Sequence, residues 1–439
     1  MRSTPTRSDP VLARSLHLTL FVGAIAIFMA LSVLFQVHTT LIIERDRLNS
    51  TTPVGQFEDY VAYYAAGRLV LESDGGKLYD LPRIAIEETE ALGRPASGGV
   101  QPFFNPPFVA VFLAGLSALS LEQFGLALLV LNLALVLLTC VLLVRFAVLQ
   151  TGLQRAGFAL GYLSLASIAW VAQEGQLSMF ILLGFLGFAR FERTGNRTAA
   201  GASLALVLIK PQMLLFLVPL LLWHRRWPEL RAFCGVAFAL VLISIAASPS
   251  HFHDYPRFLL DSAGWSNENG VKISAMYGWN GFVANLTDLS SPPRELVLLL
   301  DTATLGLFGF GLAATRRWAP NLRLLTSAAA LASLLVNPHL YFQELALLPL
   351  VIVCGLASSR HPADTRLWGA VGLTMWLASL VGRPSPFVPG PLLLTPAIAA
   401  LLAITIWQLR KTNQRSATDP IDLRLTSDEL SVDATVRVA

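Results

Sequence analysis

Apolar residues run along most of this chain in at least ten stretches of about 14 to 26, separated by short polar connections, and no window of 100 residues lacks one. Runs of about 20 apolar residues are what crossing a bilayer by a helix demands. The first, about Leu16 to Val37, is too long for a signal-peptide core and lacks a small-residue cleavage site, and Arg2, Arg7 and Arg14 precede it. It is expected to be an uncleaved first span with the N-terminus in the cytoplasm. From about Phe124 onward the runs alternate sides consistently if residues 198 to 223 form a hairpin of two half-helices broken at Lys210-Pro211. Proline cannot continue the helical hydrogen-bond ladder, and a broken helix at membrane depth must be packed in protein or line a polar cavity. Pro106 to Ser120 is short for a crossing and is expected to be re-entrant or interfacial, or a short span. The pattern predicts an all-α polytopic bundle with about 10 to 13 transmembrane segments. One membrane domain covers residues 1–409, and residues 410–439, mixed in charge and poor in apolar residues, read as a disordered cytoplasmic tail.

Charge sets the orientation. Basic clusters at Arg145/Arg155, Arg190/Arg193/Arg197, Arg225/Arg226/Arg231, Arg316/Arg317/Arg323, Arg360/Arg366 and Arg410/Lys411/Arg415 mark cytoplasmic loops under the positive-inside rule. The outward connections are then about residues 39–105, Gln173 to Gln176, about 249–292, Asn337 to His339, and Gly382 to Pro389, of which only the first and third are long. Composition agrees: of 439 residues 54% are hydrophobic and 14% charged, with a mean hydropathy of +0.60. A soluble globular protein carries roughly a quarter charged residues, so an ordinary soluble enzyme is excluded. The net charge of +4 and pI near 9.1 follow the topology and do not point to nucleic acid. Cys140, Cys234 and Cys354 are far apart in apolar runs, which suits neither a disulfide framework nor a metal site. No duplicated half, Gly-rich phosphate loop or dinucleotide-binding pattern is present.

The first outward loop is rich in chemistry. It carries Gly55-Gln56-Phe57-Glu58-Asp59-Tyr60-Val61-Ala62-Tyr63-Tyr64-Ala65-Ala66-Gly67-Arg68, then Leu78-Tyr79-Asp80, and later Phe103-Phe104-Asn105-Pro106-Pro107-Phe108. From Asp59 to Leu71 the spacing predicts an amphipathic helix along the outer interface, with Asp59 at its N-terminal end. On spacing alone Asp59 is either a helix cap or a functional carboxylate. In the third outward loop His251, His253 and Asp254 form a cluster without the partner spacing of a metal site, read as lying at headgroup level. Trp265 and Trp279 either stack on a sugar or belong to the aromatic belt.

In this order the motifs resemble glycosyltransferase family 87. They are the Asp59-Tyr60 helix soon after the first span, Leu78-Tyr79-Asp80, the aromatic-Pro-Pro segment around Pro106, Glu174-Gly175-Gln176 before a span, and Ile209-Lys210-Pro211-Gln212 ahead of Arg225-Arg226-Trp227. The resemblance runs from about residue 17 to 350. It departs from the family at Phe104-Asn105, where an aromatic often directly precedes Pro-Pro, and at Glu174, where many members carry an aromatic; both departures bear on contacts near the sugar. The resemblance implies a GT-C type helical bundle that takes a sugar from a polyprenyl-phosphate carrier, with mannose the first choice, and transfers it with inversion to a glycan or glycolipid acceptor.

The resemblance makes Asp59 the catalytic carboxylate. Inverting transfer needs a base within hydrogen-bond reach of the acceptor hydroxyl, and phosphate is a good leaving group that needs no protein acid. Glu58 is the neighbouring alternative, and consecutive helical residues point about 100° apart, so one of the two faces the donor. His339, in Asn337-Pro338-His339-Leu340-Tyr341, matches a polar turn of the family; it either binds the leaving phosphate, orients the acceptor or is a structural, hydrogen-bonded group. Lys210 is the first choice for neutralising the phosphate, with snorkelling to an interface as the alternative; Arg68, Arg257 and Lys272 are weaker options that read equally as solvated charges. Glu344 is an intramembrane carboxylate and is expected to pair with Lys210 or His339. Tyr63, Asn105, Gln176, Gln212, Asn280 and Tyr341 are candidate substrate contacts, with ordinary interhelical hydrogen bonds as the alternative for Gln176, Gln212 and Asn280. No metal or other cofactor is expected. The anticipated partners are the lipid-linked donor, the acceptor and membrane lipids, in a bacterial inner membrane. The competing classes are a lipid or glycan transporter, which predicts ionisable residues inside several spans, and a noncatalytic subunit of a glycan-assembly complex.

Overall fold

A computed structural model of the 439-residue chain describes residues 23–39, 42, 59–95, 99–147, 149–262, 264–265, 267–315, 321–359, 361–382 and 390–418. Glu58, the basic residues Arg2, Arg7, Arg14, Arg316, Arg317 and Arg360, the connection 383–389 and the tail from 419 lie outside the described residues. Among the described residues every regular element is helical. Helix α1 (Gly23–Thr39) is followed by α2 (Asp59–Leu71), α3 (Leu81–Leu92), α4 (Pro107–Ala114) and α5 (Leu121–Phe146). Next come α6 (Gly152–Leu163), α7 (Ala166–Glu174), α8 (Ser178–Arg193), α9 (Arg197–Ser203), α10 (Leu217–Trp223) and α11 (Trp227–Ala247). The rest are α12 (His251–Ser262), α13 (Trp279–Thr287), α14 (Arg294–Thr315), α15 (Leu322–Val336), α16 (Leu348–Ala357), α17 (Pro362–Val381) and α18 (Gly390–Thr418).

Local chemistry starts and stops these helices where it should. Asp80 accepts from Arg83 N ahead of α3, Ser120 and Gln123 form a reciprocal capping box on α5, and Thr151 and Gln154 do the same for α6. Among the described residues four helices are long and apolar enough to cross a membrane: α5, α11, the Arg294–Ala313 part of α14 and the Gly390–Thr412 part of α18. The bent pair α6 and α7 makes a fifth if it is one span, with a 49° bend. Polar groups freed at that bend are met by neighbours: Ser164 O accepts from Gln36 Nε2 at 2.8 Å and Ser164 Oγ from Trp376 Nε1 at 2.8 Å. Five further apolar helices among the described residues are only 10–17 residues long, so several of the expected crossings are shorter or interrupted. The protein is an integral membrane protein on this architecture. Exposed apolar side chains such as Leu34, Leu137, Phe238 and Leu299 stud α1, α5, α11 and α14, as lipid contact requires and water does not tolerate.

Two features differ from the sequence pattern. Helix α2 is not the two-faced helix that the spacing predicts; Tyr60, Val61, Ala62, Tyr63, Ala65, Ala66, Gly67 and Leu69 are all buried. Its run of small residues lets α3 and α4 close on it from several sides, which the tyrosine periodicity alone does not reveal. Residues 410–418 continue α18 as helix, and Lys411 Nζ meets Asp364 Oδ1 at 2.6 Å. Helix α4, at eight residues, is far too short to cross and packs against α2 and α11.

Between α9 and α10 the chain tightens into 3-10 turns, Leu204–Ile209 and Pro211–Leu214, with Lys210 in a non-helical conformation (φ −132°, ψ 83°) between them. The two ends of this segment meet at one end of the bundle. Arg226 pairs with Glu192 and Glu229, and Arg197 Nε lies 3.7 Å from Glu229. A Cβ on Gly201 would stand 2.0 Å from the Glu229 carbonyl oxygen, so α9 and α11 touch backbone to backbone. The segment is therefore a hairpin, and its tip carries Lys210 into the bundle.

Candidate active site

Three elements converge at that tip: the N-terminal end of α2, the turn after α7, and the 337–344 connection between α15 and α16. Helix α7 ends at Gly175, whose φ of +67° puts it in the left-handed region that favours glycine. A Cβ there would lie 2.9 Å from Tyr60 Cβ. This turn, closed by Gln176 N donating to Val171 O at 3.0 Å, swings Gln176 back toward α2. The buried Gln176 then bridges two residues of that helix. Its Nε2 donates to Asp59 Oδ2 at 2.6 Å, and its Oε1 accepts from the Tyr63 hydroxyl at 3.0 Å.

Asp59 is densely surrounded by protein, although part of its surface stays open. Burial raises its carboxyl above the ordinary aspartate range; the Gln176 bond and the Lys210 charge pull it back, and the Glu344 charge pushes it further up. Lys210 and the fully buried Glu344 form an ion pair, and Glu344 Oε2 also accepts from Tyr341 N at 2.8 Å. Of the two partners the sequence allowed for Glu344, the fold supplies Lys210. Tyr341 presents its hydroxyl to the backbone N–H of Lys272 at 3.3 Å and lies within electrostatic reach of both Asp59 and Glu344.

His339 completes the group. Its backbone N–H donates to Asn337 Oδ1 at 3.1 Å, and its ring lies against Phe104 with centroids 5.1 Å apart. Neither ring nitrogen has a well-directed hydrogen-bond partner, although Ser262 backbone lies close enough to favour protonation in part. Burial is the larger effect and holds the imidazole down to about 4, with the Lys210 charge acting in the same direction. The ring is neutral near pH 7.

The remaining candidates divide. Asn105 Nδ2 donates to Ile209 O at 3.0 Å and so holds the hairpin tip, while Asn280 Nδ2 reaches Pro338 O at 3.4 Å. Gln212 is half-buried beside the tip. Arg68 lies toward the other end of α2, paired with Glu72. Arg257 is largely exposed, 3.8 Å from Asp261. Lys272 is exposed and reaches the site through its backbone alone. The His251 cluster divides: His251 is buried, its two ring nitrogens 2.9 Å from Ser244 O and 2.7 Å from Gly75 O, while His253 is exposed. Trp279 donates to Thr304 Oγ1 at 2.9 Å as an interhelical bond. Residues the motif reading passed over include Asn337, which orders the His339 turn, and Tyr79, whose hydroxyl donates to Asn105 O at 2.8 Å. The Leu78-Tyr79-Asp80 motif was the visible signal for Tyr79, and the Asn337-Pro338-His339 turn that for Asn337. Among the described residues no group of three His, Cys, Asp or Glu side chains is placed to hold a metal ion.

The sequence model of glycosyltransferase family 87 matches residues 103–338, more than half of the chain. The chain belongs to this family. It is therefore a glycosyltransferase, with a sugar donor and a glycan acceptor. No curated protein and no solved structure matches it. Within the family match fall Asn105, Gln176, Lys210, Gln212, Arg257, Lys272 and Asn280; Asp59, Tyr63 and Arg68 precede it, and His339, Tyr341 and Glu344 follow it. The family-87 segment thus supplies the middle of the cluster, and the flanking segments bring the carboxylate and the imidazole to it.

Proposed function

We propose that this family-87 transferase takes a sugar from a polyprenyl monophosphate and passes it, with inversion, to a glycan or glycolipid on the non-cytoplasmic face of a bacterial inner membrane. Mannose is the donor sugar to test first. The observation that carries this reading is the convergence of Asp59, held through one oxygen, with the Lys210–Glu344 pair and the unpartnered His339 ring. A donor carried by lipid arrives laterally from the bilayer, which suits a chain with no nucleotide-binding pattern.

In this reading Asp59 accepts the proton of the acceptor hydroxyl. The hydroxyl oxygen bonds to the anomeric carbon as the bond from that carbon to the phosphate oxygen breaks, and the polyprenyl phosphate departs with the electron pair from the opposite face. Lys210 has three N–H donors and spends only part of them on Glu344, so it offers charge to the departing phosphate. The neutral His339 ring donates one N–H to the same group. Tyr341 and Asn280 line the turn on which His339 sits.

The test is transfer from a labelled short-chain polyprenyl-phosphate mannose into membrane lipids and glycans, wild type against Asp59→Asn at equal expression. Loss of a catalytic base lowers the rate by about 10²-fold or more. Equal transfer by both returns Asp59 to a structural role. If wild type uses neither this donor nor other sugars on the same carrier, the donor class is wrong and the transporter or noncatalytic reading takes its place.

A further inference from the structure

We infer that Gln176 is the positioning residue of this site: together with Tyr63 it locks Asp59 so that one carboxylate oxygen is engaged and the other faces the acceptor hydroxyl. The inference rests on the reading of Asp59 as the base. It changes the role expected for Gln176 and Tyr63 from the sequence, where both were candidate substrate contacts.

The argument is one of donors and acceptors. An ionised carboxylate only accepts hydrogen bonds, and a primary amide has one accepting and one donating end. Gln176 is buried, so its amide cannot turn to water for compensation. With Nε2 on Asp59 Oδ2 at 2.6 Å, Oε1 points the other way and needs a donor. Tyr63 supplies it at 3.0 Å. Burial, with the Asp59 charge next, holds the Tyr63 phenol well above its ordinary range, so its proton stays in place. A flipped amide would set its oxygen against the carboxylate, and the Tyr63 proton further disfavours that flip. The polarity of the chain is thereby fixed from Tyr63 through Gln176 to Asp59. Because Asp59 and Tyr63 are four residues apart on α2, they stand one helical turn apart on one face, and one glutamine side chain reaches both.

Two consequences follow for the base. Its orientation is set from outside its own helix, 117 residues along the chain. Its ionised form is favoured by the amide bond against the burial that opposes it. Losing the bond therefore makes Asp59 harder to ionise while leaving donor binding in place.

The test is the pH profile of kcat and KM for Gln176→Ala, Tyr63→Phe and Gln176→Glu, with Asp59→Asn alongside, each purified as a monodisperse species in the same detergent. Gln176→Ala is expected to move the acidic limb of kcat up by about one pH unit, which lowers kcat about tenfold below that limb, with the donor KM within about twofold. Tyr63→Phe moves the limb in the same direction by less. Gln176→Glu moves it furthest, because a second carboxylate beside Asp59 opposes its ionisation. A limb that stays in place in both Gln176→Ala and Tyr63→Phe overturns the inference, whatever happens to the rate. So does a large rise in donor KM with kcat unchanged, which would make Gln176 a sugar contact. Full activity in Asp59→Asn overturns the underlying base reading instead, so the two failures are distinct.

Discussion

Asp59 is the residue on which burial and chemistry pull in opposite directions. Its folded carboxyl is raised above the ordinary range, first by desolvation. With the folded value above the unfolded one, its contribution favours the fold at low pH and is lost as pH rises through the raised value. Catalysis has the opposite sign, because a base must be ionised. The acidic limb of kcat/KM for wild type is therefore expected above the ordinary aspartate range near 3.8, measured in transfer assays across pH 4 to 8 with thermal unfolding followed in parallel. A limb at the ordinary aspartate position would mean that Asp59 is not the base. The spacing of α2 could not decide between cap and functional carboxylate. The fold adds a bond from Gln176 to Asp59 Oδ2, and no local sequence rule forecasts a contact so distant in the chain.

At the scale of elements, the hairpin between α9 and α10 is the device that brings charge into the bundle. Lys210-Pro211 marked its break in the sequence, because a proline ends the helical ladder and a lysine there needs a partner. The partner, Glu344, is fully buried, and the Lys210 side chain is 14% exposed. Removing one member of such a pair leaves the other uncompensated, at a cost of about 3–5 kcal/mol. Lys210→Met is therefore expected to lower the unfolding temperature in detergent markedly, and adding Glu344→Gln to recover much of that loss without recovering transfer. Additive losses in the double variant would show that the two residues do not act as a pair. Asn105 donating to Ile209 O adds a second anchor at the tip. Its place in the Phe104-Asn105-Pro106 segment made it visible as polar, but not as the residue that holds the hairpin. Helix α2 was legible as a helix but not as a buried one, since Ala62, Ala65, Ala66 and Gly67 read as a neutral face until α3 and α4 are seen to close on it.

Across the whole molecule, the ion pairs of Arg226, Arg197 and Lys411 gather helix ends of the bundle, whereas Asp59, His339 and Tyr341 gather around the hairpin tip. If the basic end is cytoplasmic, as the positive-inside rule requires, the site opens on the other side. A reporter fused after Arg410 should then signal the cytoplasmic side, and one inserted within residues 249–292 the opposite side; matching signals from both would overturn this orientation. The class of protein was settled by the chain alone, because 54% hydrophobic residues in repeated long runs have no soluble solution. Motif order likewise pointed to the family, since the Gly175-Gln176 turn and the Lys210-Pro211 break need those residue types at those places. Only the tertiary structure decided which of the scattered polar residues work together. Arg68, Arg257 and Lys272 have the right charge but stand apart or face outward. Asp59, Gln176, Lys210, His339 and Glu344 meet because a hairpin tip, a left-handed turn and a helix start are packed against one another. Such long-range packing depends on the shape of the assembled core, which local patterning does not contain.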